Sequence, residues 1–114
     1  KGEGMQDRSF SECEYAWTSF DESARIKKFN PVQPFRIHPT QKPTALYEFL
    51  LTHYAKPGDR ILDTHLGSGS SRIAAYNLGF DFCGYEIDKD YFDAQEKRFQ
   101  AHIAQTSLFD KEAT

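Results

Sequence analysis

Apolar positions along this chain change their spacing at identifiable points, and those changes mark out its elements. Over Cys13-Glu14-Tyr15-Ala16-Trp17-Thr18-Ser19-Phe20 they roughly alternate in an aromatic-rich run, which predicts a strand. Asp21 to Phe29 is charged, and Pro31, Pro34 and Pro39 punctuate a loop that runs to Gln41. Pro43 suits a first helical turn, where its missing N–H costs nothing. Behind it Leu46, Phe49, Leu50 and Tyr54 recur at helical spacing and predict an amphipathic helix. Lys56-Pro57-Gly58-Asp59 turns the chain. Arg60 to Asp63 reads as a short strand, and Gly67 to Ser71 as a loop. Ile73, Ala74, Ala75 and Leu78 form the apolar side of a second helix, stopped by Gly79. Phe80 to Glu86 reads as another strand. Asp90 to about Ala104 reads as a third helix, with Tyr91, Phe92, Ala94, Phe99 and Ile103 along its stripe.

Strands that alternate with helices predict an α/β fold, with parallel strands and helices on both faces. The crossover rule makes the strand–helix–strand unit right-handed. Repeats and low-complexity segments are absent. Residues 1–12 are polar and read as a flexible segment, 13–110 as one domain, and 111–114 as a tail. At 114 residues the chain is one small domain or a piece of a larger one.

Net charge is −3, so nothing global announces a polyanionic partner, although a local patch would suffice for one. Cys13 and Cys83 lie far apart in no metal spacing and read as reduced thiols of a cytosolic protein. No apolar run approaches the ~18 residues of a membrane span, and no leader pattern opens the chain. Cytoplasmic location is the expectation, and a start at Lys1 in a polar stretch reads as a mid-protein start.

Ligands of open parallel sheets bind beyond the carboxyl ends of the strands. That edge carries Asp63, the Gly67–Ser71 loop and Glu86. Glycines let the backbone approach a ligand closely, and the helix behind them offers unpaired N–H groups. Glu86 stands where such folds place a carboxylate on a ribose diol, about 20 residues past the loop. An adenosine-type ligand follows, although a Gly-Ser-Gly crossover can equally be a structural turn. A dinucleotide fingerprint needs a third glycine where this chain has Arg72, whose side chain should obstruct helix–strand packing. The Gly-Lys-Ser/Thr of a phosphate loop is missing too. S-adenosylmethionine, with no phosphate, suits the residues better. Its carboxylate wants backbone amides and its ammonium an acidic group, which Asp63 supplies.

The most specific string is His38-Pro39-Thr40-Gln41-Lys42-Pro43, which by physics alone is an extended loop before a helix with Thr40 near the N-cap. Together with Asp63-Thr64-His65-Leu66-Gly67-Ser68-Gly69-Ser70 and then Gly84-Tyr85-Glu86-Ile87-Asp88, it resembles the C-terminal motifs of β-class amino-DNA methyltransferases. Glu14-Tyr15-Ala16-Trp17-Thr18 is similar to a strand which that family places near its target-recognition region. The resemblance covers roughly residues 12 to 110 and implies a partial Rossmann-like fold that binds S-adenosylmethionine. It implies that Thr40 and Lys42 border the methionine end. Asp63, Gly67, Ser68, Gly69 and Ser70 would line the amino-acid and ribose portions, and Glu86 would hold the ribose hydroxyls. Ile87 would lie against the adenine or be an ordinary core residue. Thr64 and His65 depart from the family's Pro and Phe, and His65 reads as a polar pocket-lining histidine. His53 and His102 read as surface.

The family implies double-stranded DNA as partner of the full enzyme, adenine rather than cytosine as target, and a place in restriction–modification. The stretch holding Phe20, Arg25, Lys27, Lys28, Phe29 and Arg36 is then either a DNA-facing patch or a solvated loop face. The family's catalytic loop, Asp/Asn/Ser-Pro-Pro-aromatic, accepts hydrogen bonds from the amine of a flipped base. This sequence has no Pro-Pro pair; Asn30-Pro31-Val32-Gln33 comes nearest and lacks the aromatic. The expectation is a C-terminal piece that is inactive alone, with an incomplete sheet whose open edge invites a homodimer or a segment swap. The rival expectation is a non-catalytic assembly fragment that binds no cofactor.

Overall fold

The elements follow one another as α1 (Thr44–Tyr54), β1 (Arg60–Asp63), α2 (Ser70–Leu78), β2 (Asp81–Gly84) and α3 (Lys89–Ala113). The structure, a computed structural model, describes residues 16–23, 25–28 and 41–113. β1 and β2 pair in parallel, from Arg60 beside Asp81 to Asp63 beside Gly84, with α2 as the crossover. The fold is α/β, and among the described residues its sheet has these two strands alone.

Side chains alternate across a strand, and in β1 Ile61 and Asp63 are half-buried while Arg60 and Leu62 are exposed. The parallel register puts Phe82 and Gly84 on the same face as Ile61 and Asp63. Helices α2 and α3 meet that face. Asp63 accepts a hydrogen bond from Ser71 of α2, and its charge reaches Tyr47 of α1. Phe82 and Gly84 line a cleft with Phe92 and Gln95 of α3. Leu62, on the other face, is 62% exposed.

The apolar core is small: Leu66, Ile73, Ala74, Ala75 and Phe99. Ala74 and Ala75 carry so little side chain that α1 can pack closely on α2. Gln41, Ser68, Ser70, Ser71 and Gln95 are as enclosed as these apolar residues. Among the described residues every buried polar side-chain atom has a partner, as burial of such groups requires. The stripe expected on α3 is thereby corrected: Gln95 is 1% exposed and Phe92 40%. The helix turns its Gln95 side inward because Gly69, which has no side chain, leaves room there. Arg72 is also corrected. It does not obstruct the sheet but bridges to α3, bonding Gln95 at 3.1 Å and Glu96 at 2.7 Å with its guanidinium 3.7 Å from the Phe99 ring centre.

Other boundaries moved for local reasons. Ala16 to Phe20 forms no strand; Trp17 is 91% exposed and Phe20 stacks on Tyr54 at 4.8 Å. No strand among the described residues stands beside this run to pair with it. Cys13 to Tyr15 and the segment 1–12 lie outside the described residues. β2 ends at Gly84 because the next ladder bonds, Tyr85 N–H to Asp63 O and Leu66 N–H to Tyr85 O, lead into the loop. α3 continues past Ala104 to Ala113, into the stretch read as a tail. His102 is half-buried rather than a surface group, with Nε2 2.7 Å from Asn77 Oδ1 of α2. No helix among the described residues is long and apolar enough to cross a membrane.

Candidate cofactor site

The turn from β1 into α2 is shaped by its sequence. Gly69 stands at the N-cap of α2 with φ 82°, a left-handed conformation that favours glycine. A Cβ there would lie 3.1 Å from Gln95 Cβ. On β2, a Cβ on Gly84 would lie 2.8 Å from the Phe82 ring and 3.0 Å from Leu66. Two side-chain-free positions thus let α3 and Leu66 close on the turn from behind.

In front of the turn lies a cavity of about 390 Å3, lined among the expected residues by Lys42, Gly67, Ser68, Ser70 and Glu86. Glu86 is anchored from two sides. Its Oε1 accepts from Gly67 N–H at 2.8 Å and its Oε2 from Asp88 N–H at 3.0 Å. Asp88 in turn caps α3, its Oδ1 accepting from Tyr91 N–H at 3.0 Å. The string Glu86-Ile87-Asp88 therefore fixes both the turn and the following helix. Ile87 is fully exposed, which rules out its reading as a core residue.

Asp63 and Gly69 are not among the lining residues. The Asp63 carboxylate accepts from His65 N–H at 3.0 Å and from the Ser71 hydroxyl, so it braces the turn from behind. Thr40 lies outside the described residues. Gln41, Tyr47 and Leu66, which spacing did not single out, also line the cavity. Tyr47 was legible as a helix position next to the apolar stripe, but only the packing of α1 brings it to the site. Burial first, and then the charge of Asp63, push its hydroxyl pKa up, so it stays a neutral donor. His65 lines the cavity, with Nδ1 2.9 Å from Thr64 Oγ1.

A strand, a glycine turn, a helix and an anchored carboxylate at the tip of the neighbouring parallel strand place the chain among Rossmann-like folds, and its structural neighbours are methyltransferases. Within that class the chain belongs to the N6/N4-type DNA methylase family, whose model matches residues 4–97. The type II methyltransferase M2.DpnII of Streptococcus pneumoniae is 42% identical over 64 residues, 56% of this chain and 24% of its own. M.HpaI of Haemophilus parainfluenzae is 36% identical over 66 residues, 58% of this chain and 21% of its own. A crystal structure of an M1.HpyAVI–SAM complex superposes with a TM-score of 0.55 at 35% identity, covering 69% of this chain and 42% of that one. The match thus spans about a quarter of the length of these two type II methyltransferases and less than half of the M1.HpyAVI chain.

Proposed function

We propose that the cavity beside Gly67 binds S-adenosylmethionine, and that the chain supplies this pocket to an enzyme methylating an exocyclic amino group in DNA, adenine rather than cytosine. The observation that carries the reading is the cavity of about 390 Å3 walled by the serine–glycine turn and by Glu86, a volume within the range of small-molecule sites. The residues fit the group. A carboxylate has about four acceptor positions, and backbone N–H groups take one on each Glu86 oxygen. Both oxygens can still accept from ribose hydroxyls. Exposed Ile87 offers an apolar surface to adenine. When bound, the cofactor would supply an electrophilic methyl on its sulfonium sulfur; Lys42, with Thr40 two residues before it in sequence, would border the methionine end, and Asp63 and the Gly67–Ser70 turn its amino-acid and ribose portions.

The described chain alone transfers no methyl group in this reading, because the sequence contains no Pro-Pro-aromatic loop to accept from the target amine. Arg25, Lys27 and Lys28 are exposed, and with Arg36, outside the described residues, they would meet DNA phosphates. Arg25 pairs with Glu22 at 3.2 Å, and Lys27 sits 5.9 Å from the Phe49 ring centre. The protein would act in the cytoplasm. Exposed Leu62, on a strand with one edge unpaired among the described residues, favours a homodimer or segment swap, and with it the rival reading of an assembly fragment.

Calorimetry with S-adenosylhomocysteine tests the first reading. Binding that weakens in Glu86→Gln supports it. No heat at millimolar ligand overturns it in favour of the assembly fragment, and sedimentation as a monomer overturns the dimer.

A further inference from the structure

Arg98 comes from α3, far from the motifs, and ends behind the turn. Its Nη1 donates to Ser68 O at 2.9 Å and to Ser70 Oγ at 3.0 Å, and its Nη2 lies 3.5 Å from Thr44 Oγ1 at the start of α1. Ser70 Oγ donates onward to Lys42 O at 2.7 Å. One guanidinium therefore joins the turn, α1 and the segment before it. Unlike Arg72, which pairs with Glu96, Arg98 has no carboxylate at ion-pair distance among the described residues. It is half-buried, and that burial pulls its pKa down. A cation held by carbonyl and hydroxyl dipoles alone gains from an anion placed nearby in the same low-dielectric region.

We propose that Arg98 is the positioning residue of the cavity, fixing the Ser68–Ser70 turn against α1 and leaving behind it a positive charge, without a carboxylate at ion-pair distance among the described residues, that selects ligands with a carboxylate at that end. The inference rests on the cofactor reading and deepens it by naming what discriminates the amino-acid end of the ligand.

The test uses the full chain, the variants Arg98→Met and Arg98→Lys, and two probes. S-adenosylhomocysteine carries the carboxylate; 5′-methylthioadenosine keeps the thionucleoside and lacks it. Arg98→Met should weaken S-adenosylhomocysteine about tenfold, the size of one charge-assisted interaction, and 5′-methylthioadenosine less than about twofold on the same scale. Arg98→Lys, which keeps the charge and loses the fork, should retain most of the discrimination. Without any ligand, backbone amide exchange over residues 66–70 should speed up in both variants. Equal weakening of the two probes in Arg98→Met overturns the electrostatic role. Should Arg98→Met fail to fold, Arg98→Lys decides: unchanged exchange at 66–70 overturns the positioning role. A wild-type protein that binds neither probe refutes the cofactor reading and the carboxylate selection together. The exchange measurement, which needs no ligand, then separates that failure from a failure of the positioning role.

Discussion

Replacing Gly69 by alanine separates two costs that usually arrive together. Its φ of 82° is unfavourable for any residue with a Cβ, by about 1–2 kcal/mol. The added methyl would also stand 3.1 Å from Gln95 Cβ and 3.2 Å from its Oε1. Gln95 cannot swing away freely. It is 1% exposed, accepts from Arg72 and donates to Phe92 O at 3.0 Å. Overpacking of such a site costs about 1–3 kcal/mol, so the sum for Gly69→Ala is about 3 kcal/mol.

Gly79 provides the internal control. It ends α2 with φ 81°, donating to Tyr76 O while Phe80 N–H reaches Ala75 O, the Schellman arrangement. A Cβ there meets nothing within 4 Å. Gly79→Ala therefore carries the conformational cost alone, about 1 kcal/mol. Urea unfolding followed by circular dichroism, at one protein concentration and with equal slopes, measures both. The expected gap between the variants is about 2 kcal/mol. Midpoints that coincide would refute the claim that α3 is seated on a missing side chain.

Three further outcomes follow from the same contacts. Glu86→Gln exchanges one acceptor of a backbone N–H for an amide, so S-adenosylhomocysteine binding should weaken about tenfold and Gly67 amide exchange should accelerate; unchanged exchange contradicts the anchor. In the Arg72–Glu96 pair, the hydrogen bond from Arg72, and then that from Gln100, holds the Glu96 carboxyl below the usual glutamate range. A depressed carboxyl contributes stability above its unfolded pKa and loses it as pH falls through the folded one. Carbon-detected titration should thus show Glu96 moving up in Arg72→Met, with the stability gap between the proteins closing on acidification; Glu96 is exposed, so the gap is small. Ser70→Ala strips a donor from Lys42 O and an acceptor from Arg98, and should cost about 2 kcal/mol. Ser68→Ala loses only a 3.3 Å contact with Ser70 and should cost less in the same urea assay.

The helices and strands were legible from Pro43 onward because spacing changes at the Pro57-Gly58 turn, the glycine loop and Gly79 separate one from the next. Gly79 also marked its boundary in sequence, whereas the cap at Asp88, which starts α3 at Lys89 rather than Asp90, was not singled out. Two further things were not legible. The alternating run at Cys13–Phe20 has the period of a strand, yet a strand needs a neighbour, and Ala16 to Phe20 has none among the described residues. The inward side of α3 was misread because hydropathy ranks Phe92 above Gln95. Only the three-dimensional match between Gly69 and Gln95 reverses that order. Of the residues in the motif strings, Lys42, Gly67, Ser68, Ser70 and Glu86 line the cavity, whereas Asp63 and Gly69 do not. Tyr47 and Arg98 carry no local signal, since α1 and α3 reach the turn through packing that spacing does not encode.

That polar packing also explains how so small a core can hold a defined cavity. The turn is tied to Glu86 across 19 residues, to Lys42 across 28 and to Arg98 across 30. Each tie is directional and excludes alternative placements of its segment, whereas an apolar contact of equal strength would tolerate sliding. Loss of any one leaves a part-buried partner without its bond, and the desolvation of that partner adds to the cost. The cavity walls are thereby set before a ligand arrives, and less of the binding free energy is lost to ordering the turn. The open Leu62 side has no such ties among the described residues, so the precision of the site belongs to the face on which the helices pack.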